Sequence, residues 1–238
     1  MSPPRRAIIS ITSASATLHG DHLTGVFISE ALHPFNAFKA AGFEVDIVSE
    51  KGTWTPDWLS LQPDFLPDEE RQQYEDTNGE FRKKLDSGLR PDKVDASQYG
   101  IFFASAGHAA LIDYPTAKGL QGIASTIYAN GGIMSTVCHG PALFPGILDP
   151  ETGESIIKGK TITGFTTEGE NVMHIMETLR SWNAPMVDEH AANLGAKYTR
   201  PEGVWDSFDV VDGRVVTGTN PASATETANA VLKEFGKL

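Results

Sequence analysis

Two hydrophobic rhythms alternate along the chain. Short apolar runs read as buried strands, and stripes spaced three to four residues apart read as helices. Ala7–Thr12 opens the series as a near-continuous apolar run of the kind that fills a parallel sheet. Val26–Ala40 follows as a helix, with Phe27, Ala31, Phe35 and Phe38 on one stripe and Gly42 as its stop. Glu44–Ser49 and Ile101–Ala104 are the next strands. Thr116–Asn130 is a helix carrying Leu120, Ile123 and Ile127, and Gly131-Gly132 ends it before an apolar strand that runs to Cys138. Lys160–Thr163, Asp209–Asp212 and Val215–Gly218 read as further strands. The last helix opens at Ser223-x-x-Glu226, a capping-box spacing, and buries Ala228, Val231 and Phe235. Repeated strand–helix units predict an α/β fold, a mostly parallel sheet with helices on both faces.

One stretch breaks the rhythm. Residues 51–97 are polar and carry Pro56, Pro63, Pro67 and Pro91 among their charges. A segment of this length is too long for an ordinary connection, so it is expected to fold into small helices of its own. Trp54, Trp58, Phe65 and Phe81 are its candidate anchors, and it reads as a cap near the carboxyl edge of the sheet or as a surface insertion. The remainder reads as a single domain spanning 1–238 with this cap inserted.

Composition narrows the partners. The chain has 238 residues, 40% of them hydrophobic, and a formal charge of 19 − 31 = −12, which disfavours nucleic acid and anionic membranes. No apolar run reaches the length of a membrane span. Ala7–Thr12, behind Arg5 and Arg6, is too short and too polar for a signal peptide's apolar region. One cysteine excludes an intramolecular disulfide, and the chain reads as cytoplasmic, with the nucleus possible. Gly236-Lys237-Leu238 is a weak match to a peroxisomal address.

That single cysteine is the centre of the chemistry. In Ile133-Met134-Ser135-Thr136-Val137-Cys138-His139-Gly140-Pro141 a β-branched strand ends at a thiol, and a histidine, a glycine and a proline follow. This is the pattern of a nucleophile elbow, which thrusts a side chain out at the carboxyl edge of a sheet. A helix starting there is expected to lower the thiol's pKa. A lone cysteine is otherwise a small buried hydrophobe, and the adjacent histidine argues against that reading.

Other residues could assist. Glu30 lies at the margin of the apolar stripe of its helix, and Pro34 withholds the hydrogen bond that its carbonyl would accept. A carboxyl group at such a kinked, partly apolar position is expected to have a raised pKa. Gly107-His108 follows a strand directly and is a candidate oxyanion or substrate-binding loop. Glu168 and Glu170 both follow a later strand, and spacing alone does not choose which of them orients His139. His19, His22, His33, His174 and His190 show no metal-ligand spacing, so neither a metal nor a cofactor is expected. Gly153 to Thr161 is one residue too long for a P-loop and precedes its strand.

Together these segments resemble the ThiJ/PfpI superfamily. The resemblance rests on Val137-Cys138-His139-Gly140-Pro141, on Thr24-Gly25 with Glu30-Ala31-Leu32-His33-Pro34-Phe35, and on Phe102-Phe103-Ala104-Ser105-Ala106-Gly107-His108. Asp113-Tyr114-Pro115, Thr163-Gly164-Phe165-Thr166 and Val216 to Ser223 extend it over essentially the whole chain. Within the superfamily the chain resembles the fungal glutathione-independent glyoxalases, also described as heat-shock-protein-thirty-one-like chaperones. The resemblance implies a flavodoxin-like three-layer sandwich, a homodimer, and a Cys138-His139-Glu170 triad with Glu30 beside the thiol. Gly107 and His139 would supply oxyanion N–H groups. The implied reaction converts methylglyoxal and water to D-lactate, with Glu30 or His139 moving the proton. Ala109 departs from close relatives, which place a glycine there, and a positive φ at that position would disturb the loop. Rival readings are a holdase that binds unfolded client proteins, a cysteine hydrolase or peptidase, and a redox sensor.

Overall fold

Strands that are apolar along their whole length must be covered on both faces. The computed structural model, which describes residues 2–238, arranges them in that way. The chain begins with β1 (Arg6–Ile11), a short hairpin β2 (Ala16–His19) and β3 (His22–Thr24), α1 (Ile28–Ala40) and β4 (Glu44–Ser49). Then come α2 (Asp68–Glu75), α3 (Glu80–Leu85), β5 (Ile101–Ala104), α4 (Ala110–Asp113), α5 (Lys118–Ala129) and β6 (Ile133–Val137). The last third holds β7 (Thr161–Ile162), α6 (Thr167–Val172), α7 (Met176–Ser181), α8 (Val187–Asn193), β8 (Lys197–Tyr198), β9 (Asp209–Asp212), β10 (Val215–Gly218) and α9 (Ala224–Phe235).

Six strands form the main sheet in the order β4-β1-β5-β6-β10-β9. All neighbours pair in parallel except β9, which runs antiparallel to β10 at the edge. Right-handed crossovers dictate the layers. The β1–α1–β4 connection steps one way along the sheet and β5–α5–β6 steps the other, so α1 and α5 lie on opposite faces. α9 packs against α1. Phe38 meets Phe103 and Phe43 meets Phe235, each edge to face, closing that layer. Each such ring buried from water contributes on the order of 2 kcal/mol. The result is a flavodoxin-like three-layer α/β sandwich.

Two expectations need correction. The strand expected at Lys160–Thr163 is reduced to Thr161–Ile162, which pairs only with β8 in a separate two-stranded sheet. The Thr163 amide donates to Thr217 Oγ1 at 2.9 Å instead of extending a ladder. The capping box at Ser223 does not form. A 3₁₀ turn over Pro221–Ser223 precedes α9, and Asn220 Oδ1 accepts from the Ser223 amide at 3.1 Å, so the cap lies three residues earlier.

Residues 51–97 divide their work. The first part crosses the carboxyl edge of the sheet, tied to the start of α1 by the Val26 amide to the Thr55 carbonyl and the Asp57 amide to the Val26 carbonyl. α2 and α3 pack beside α1 and β4. Phe81 is fully buried against Phe35, whereas Trp58 is exposed and stacks on His22 at 4.0 Å. Leu66, Tyr74 and Leu85 join the same continuous core as the sheet and its helices. No helix among the described residues is long and apolar enough to cross a membrane.

Candidate active site

β6 ends in the middle of the sheet, and its next residue is Cys138. The Cys138 amide donates to the Gly218 carbonyl at 3.0 Å, and its carbonyl accepts from the Phe165 amide at 2.8 Å. Pinned on both sides, Cys138 adopts φ 57°, a left-handed conformation rare for a residue with a side chain. This is the elbow expected from the sequence. The run after it, Gly140–Gly146, is a 3₁₀ helix rather than an α-helix, so no long helix dipole points at the sulfur.

His139 Nδ1 lies 3.1 Å from Cys138 Sγ, and His139 Nε2 lies 2.7 Å from Glu170 Oε1. The carboxylate only accepts, so Nε2 carries the proton and Nδ1 is free to accept from the thiol. Glu170 sits in the first turn of α6, whose N-cap Thr166 accepts from the Gly169 amide at 2.9 Å. Its other oxygen accepts from His108 Nε2 at 3.0 Å. One buried carboxylate therefore bridges two imidazoles, a partnership that sequence spacing could not reveal. Glu168, the alternative, is exposed and pairs with Arg200.

Glu30 approaches from α1 and is fully buried. Its Oε2 accepts from the Ala106 amide at 3.2 Å, and its Oε1 is buried without a partner that meets hydrogen-bond geometry. Gly107 follows with φ 120°, and a Cβ there would stand 2.1 Å from the Gly25 carbonyl oxygen. Only glycine allows this approach between the β5 loop and the entry to α1. The Gly107 amide has no backbone carbonyl partner among the described residues. Ala109, by contrast, has φ −62°, an ordinary helical value, so alanine is unstrained there and the expected disturbance of the loop does not arise.

The electrostatics depart from the expected activated thiol. Burial pushes the Cys138 thiol well up, the carboxylates of Glu30 and Glu170 push the same way, and the His139 amide opposes them. Burial likewise raises Glu30 to about 8, against the thiol and the Ala106 amide. Burial would raise Glu170 too, but His108 and His139 outweigh it and bring it down to about 2. His139 is lowered by burial and by His108, so its ring is neutral. Burial would lower His108, but Glu170, with smaller contributions from Asp57 and Glu30, outweighs it and the group is raised. Glu30 and Cys138 thus compete to keep a proton. When Glu30 holds it, the charge opposing a thiolate is gone and a donor faces the sulfur.

Access to the thiol is narrow. The cavity beside Cys138 measures about 10 Å³, room for a single water, and Phe27, Phe65, Phe165 and Trp205 surround it. Phe27 meets Phe65 and Phe165 meets Trp205 edge to face. Outside this throat a vestibule of about 460 Å³ opens between Phe65, Trp205, His33 and Glu70. His108, His139 and Glu170 also bring three ligand-type atoms together, yet each is engaged in the hydrogen-bond chain that ends at the sulfur. Of the throat aromatics the sequence offered Phe27 as a stripe residue, Phe65 as an anchor of the insert and Phe165 within the resemblance, none of them as a wall of the site, and Trp205 was not named.

A model of the DJ-1/PfpI family matches residues 24–234. Over 226 residues the chain is 48% identical to the glutathione-independent glyoxalase HSP31 of Saccharomyces cerevisiae, a match that covers 94% of this chain and 95% of that one. It is 46% identical over 231 residues to glyoxalase 3 of Candida albicans, covering 97% and 98% of the two chains. The crystal structure of glyoxalase III from Candida albicans superposes with a TM-score of 0.93 at 45% identity, over 97% of each chain. The chain therefore belongs to the DJ-1/PfpI family.

Proposed function

We propose that the protein is a glutathione-independent glyoxalase that converts methylglyoxal and water to D-lactate through a covalent adduct on Cys138. The observation that carries this reading is the strained elbow. It sets Sγ 3.1 Å from a neutral imidazole, beside a fully buried glutamate, at the end of a throat one water wide. Relatives that bear the name glyoxalase match over nearly the full length.

The thiol passes its proton to His139 Nδ1 as Sγ attacks the aldehyde carbon, giving a hemithioacetal. Glu170 stabilises the imidazolium that forms. The former aldehyde carbon then loses its proton to a base, an enediol forms, and a proton returns at the neighbouring carbon. Water hydrolyses the resulting thioester, releasing D-lactate and restoring the thiol. Glu30 is the proton carrier in this reading, because its raised pKa lets it both hold and release a proton near neutrality.

Magnitudes support that emphasis. A free thiol is already about 3% ionised at neutral pH, so complete ionisation would gain only about thirtyfold. Proton shuttling and oxyanion donors each contribute about a hundredfold or more. A throat this narrow suits a small dicarbonyl better than the open groove a peptidase requires. We further read the protein as a cytoplasmic homodimer, a reading that rests on the family resemblance and the single unpaired cysteine; sedimentation velocity and cell fractionation test it. Activity is tested by following D-lactate from methylglyoxal without glutathione. Turnover lost in Cys138→Ser is expected, and substantial turnover in that variant removes the covalent mechanism.

A further inference from the structure

Beside His108 the fold gathers side chains that lie far apart in sequence. His19 comes from β2, Asp57 from the stretch that crosses the sheet edge, and His108 from the loop after β5. One ligand-type atom from each lies within 4.8 Å of the others. His19 Nε2 is buried with no hydrogen-bond partner. The His19 and His108 rings meet edge to face with centroids 6.0 Å apart. An imidazole nitrogen buried without a partner among the described residues calls for a ligand.

The donors are already oriented. Asp57 is fully buried; its Oδ2 accepts from Thr24 Oγ1 at 2.6 Å and its Oδ1 from the Ser60 amide at 3.0 Å, leaving a lone pair on each oxygen. His108 donates its Nε2–H to Glu170, and its Nδ1 becomes the lone-pair donor when a bound cation displaces the proton there. A carboxylate holding the far nitrogen of an imidazole is the outer support that metal-bound histidines have. Two imidazoles and one carboxylate suit a borderline cation such as Zn²⁺, Co²⁺ or Ni²⁺ better than Mg²⁺ or Ca²⁺, which take oxygen ligands.

We propose that His19, Asp57 and His108 form a binding site for one divalent transition-metal ion. Zinc–ligand distances are about 2 Å, so the three donors draw closer on binding. The hairpin carrying His19, a two-stranded pair outside the main sheet, is the element that would move. Ligation would fasten the hairpin over the site and fix His108 with its N–H toward Glu170.

The test uses untagged, chelator-stripped full-length protein titrated with ZnCl₂ by calorimetry, with Co²⁺ visible absorption as a second reading. One equivalent is expected to bind. His19→Ala, a replacement at a half-buried side chain whose Nε2 bonds nothing, is expected to weaken Zn²⁺ binding at least about tenfold without lowering the metal-free melting temperature. Asp57→Asn is expected to weaken it likewise, and Cys138→Ser to leave it unchanged. Absence of saturable binding to the wild type, or undiminished binding in His19→Ala, overturns the proposal. So does loss of binding in Cys138→Ser, which would place the ion on the thiol.

Discussion

Glu170 Oε1 and His139 Nε2 meet at 2.7 Å, and both side chains are almost completely buried. The carboxylate fixes the tautomer that leaves Nδ1 open toward the sulfur. Glu170→Gln can present an amide N–H to the same nitrogen and favour the wrong tautomer. Turnover is expected to fall at least about a hundredfold in a D-lactate assay. Glu168→Gln, altered at an exposed residue paired with Arg200, is expected to retain wild-type turnover.

Glu30→Gln keeps a donor beside Cys138 but cannot carry a proton. Its thiol is expected to react still with an alkylating probe while turnover collapses. Retained turnover would show that the carboxyl only donates a hydrogen bond.

The same variant should be more stable. Glu30 has a folded pKa of about 8 against an ordinary 4.5, so the native state keeps a proton that the unfolded chain has released. Its contribution is fully present below the unfolded value and declines as pH rises toward the folded one. At neutral pH that loss is about 3 kcal/mol, and glutamine escapes it. Denaturant unfolding should therefore show Glu30→Gln gaining stability over the wild type at neutral pH, with the two converging in mild acid. Equal stability at neutral pH would mean that the carboxyl is ordinarily ionised.

The rate should also turn down in alkali. Above about pH 8 Glu30 loses its proton and sets a negative charge against the thiolate. We expect kcat/KM to fall on that limb, and a profile that stays level well into alkali would remove Glu30 as the proton carrier.

Trp205 is 44% exposed and closes the throat against Phe165. Trp205→Ala should join the inner cavity to the vestibule. Selectivity for phenylglyoxal over methylglyoxal is expected to rise about tenfold or more, while stability changes little. Unchanged selectivity would place the size filter elsewhere.

What the sequence revealed follows physical range. The strands of the parallel sheet are buried on both faces, so β1, β4, β5 and β6 stand out as apolar runs. α1, α5 and α9 declare themselves by their stripes. The hairpin of β2 and β3 is short and mostly polar, and α6 to α8 are brief helices whose apolar positions are too few to set a period. The elbow was legible because its partners, His139 and Gly140, are local. Glu170 needed the fold to separate it from Glu168, and the bond from His108 to Glu170 joins residues 62 apart in sequence. The expected fall in the thiol's pKa ignored burial, which no local pattern reports.

At Cys138 the backbone turns through φ 57°, a shape that glycine accepts readily and cysteine resists by about 1–2 kcal/mol. Nothing but the reactivity of sulfur justifies a side chain at that corner. A descendant of this chain that gave up the reaction would be released to place glycine or asparagine there and would gain stability by doing so. Such a replacement within an otherwise intact sheet would mark a retired enzyme rather than a damaged one.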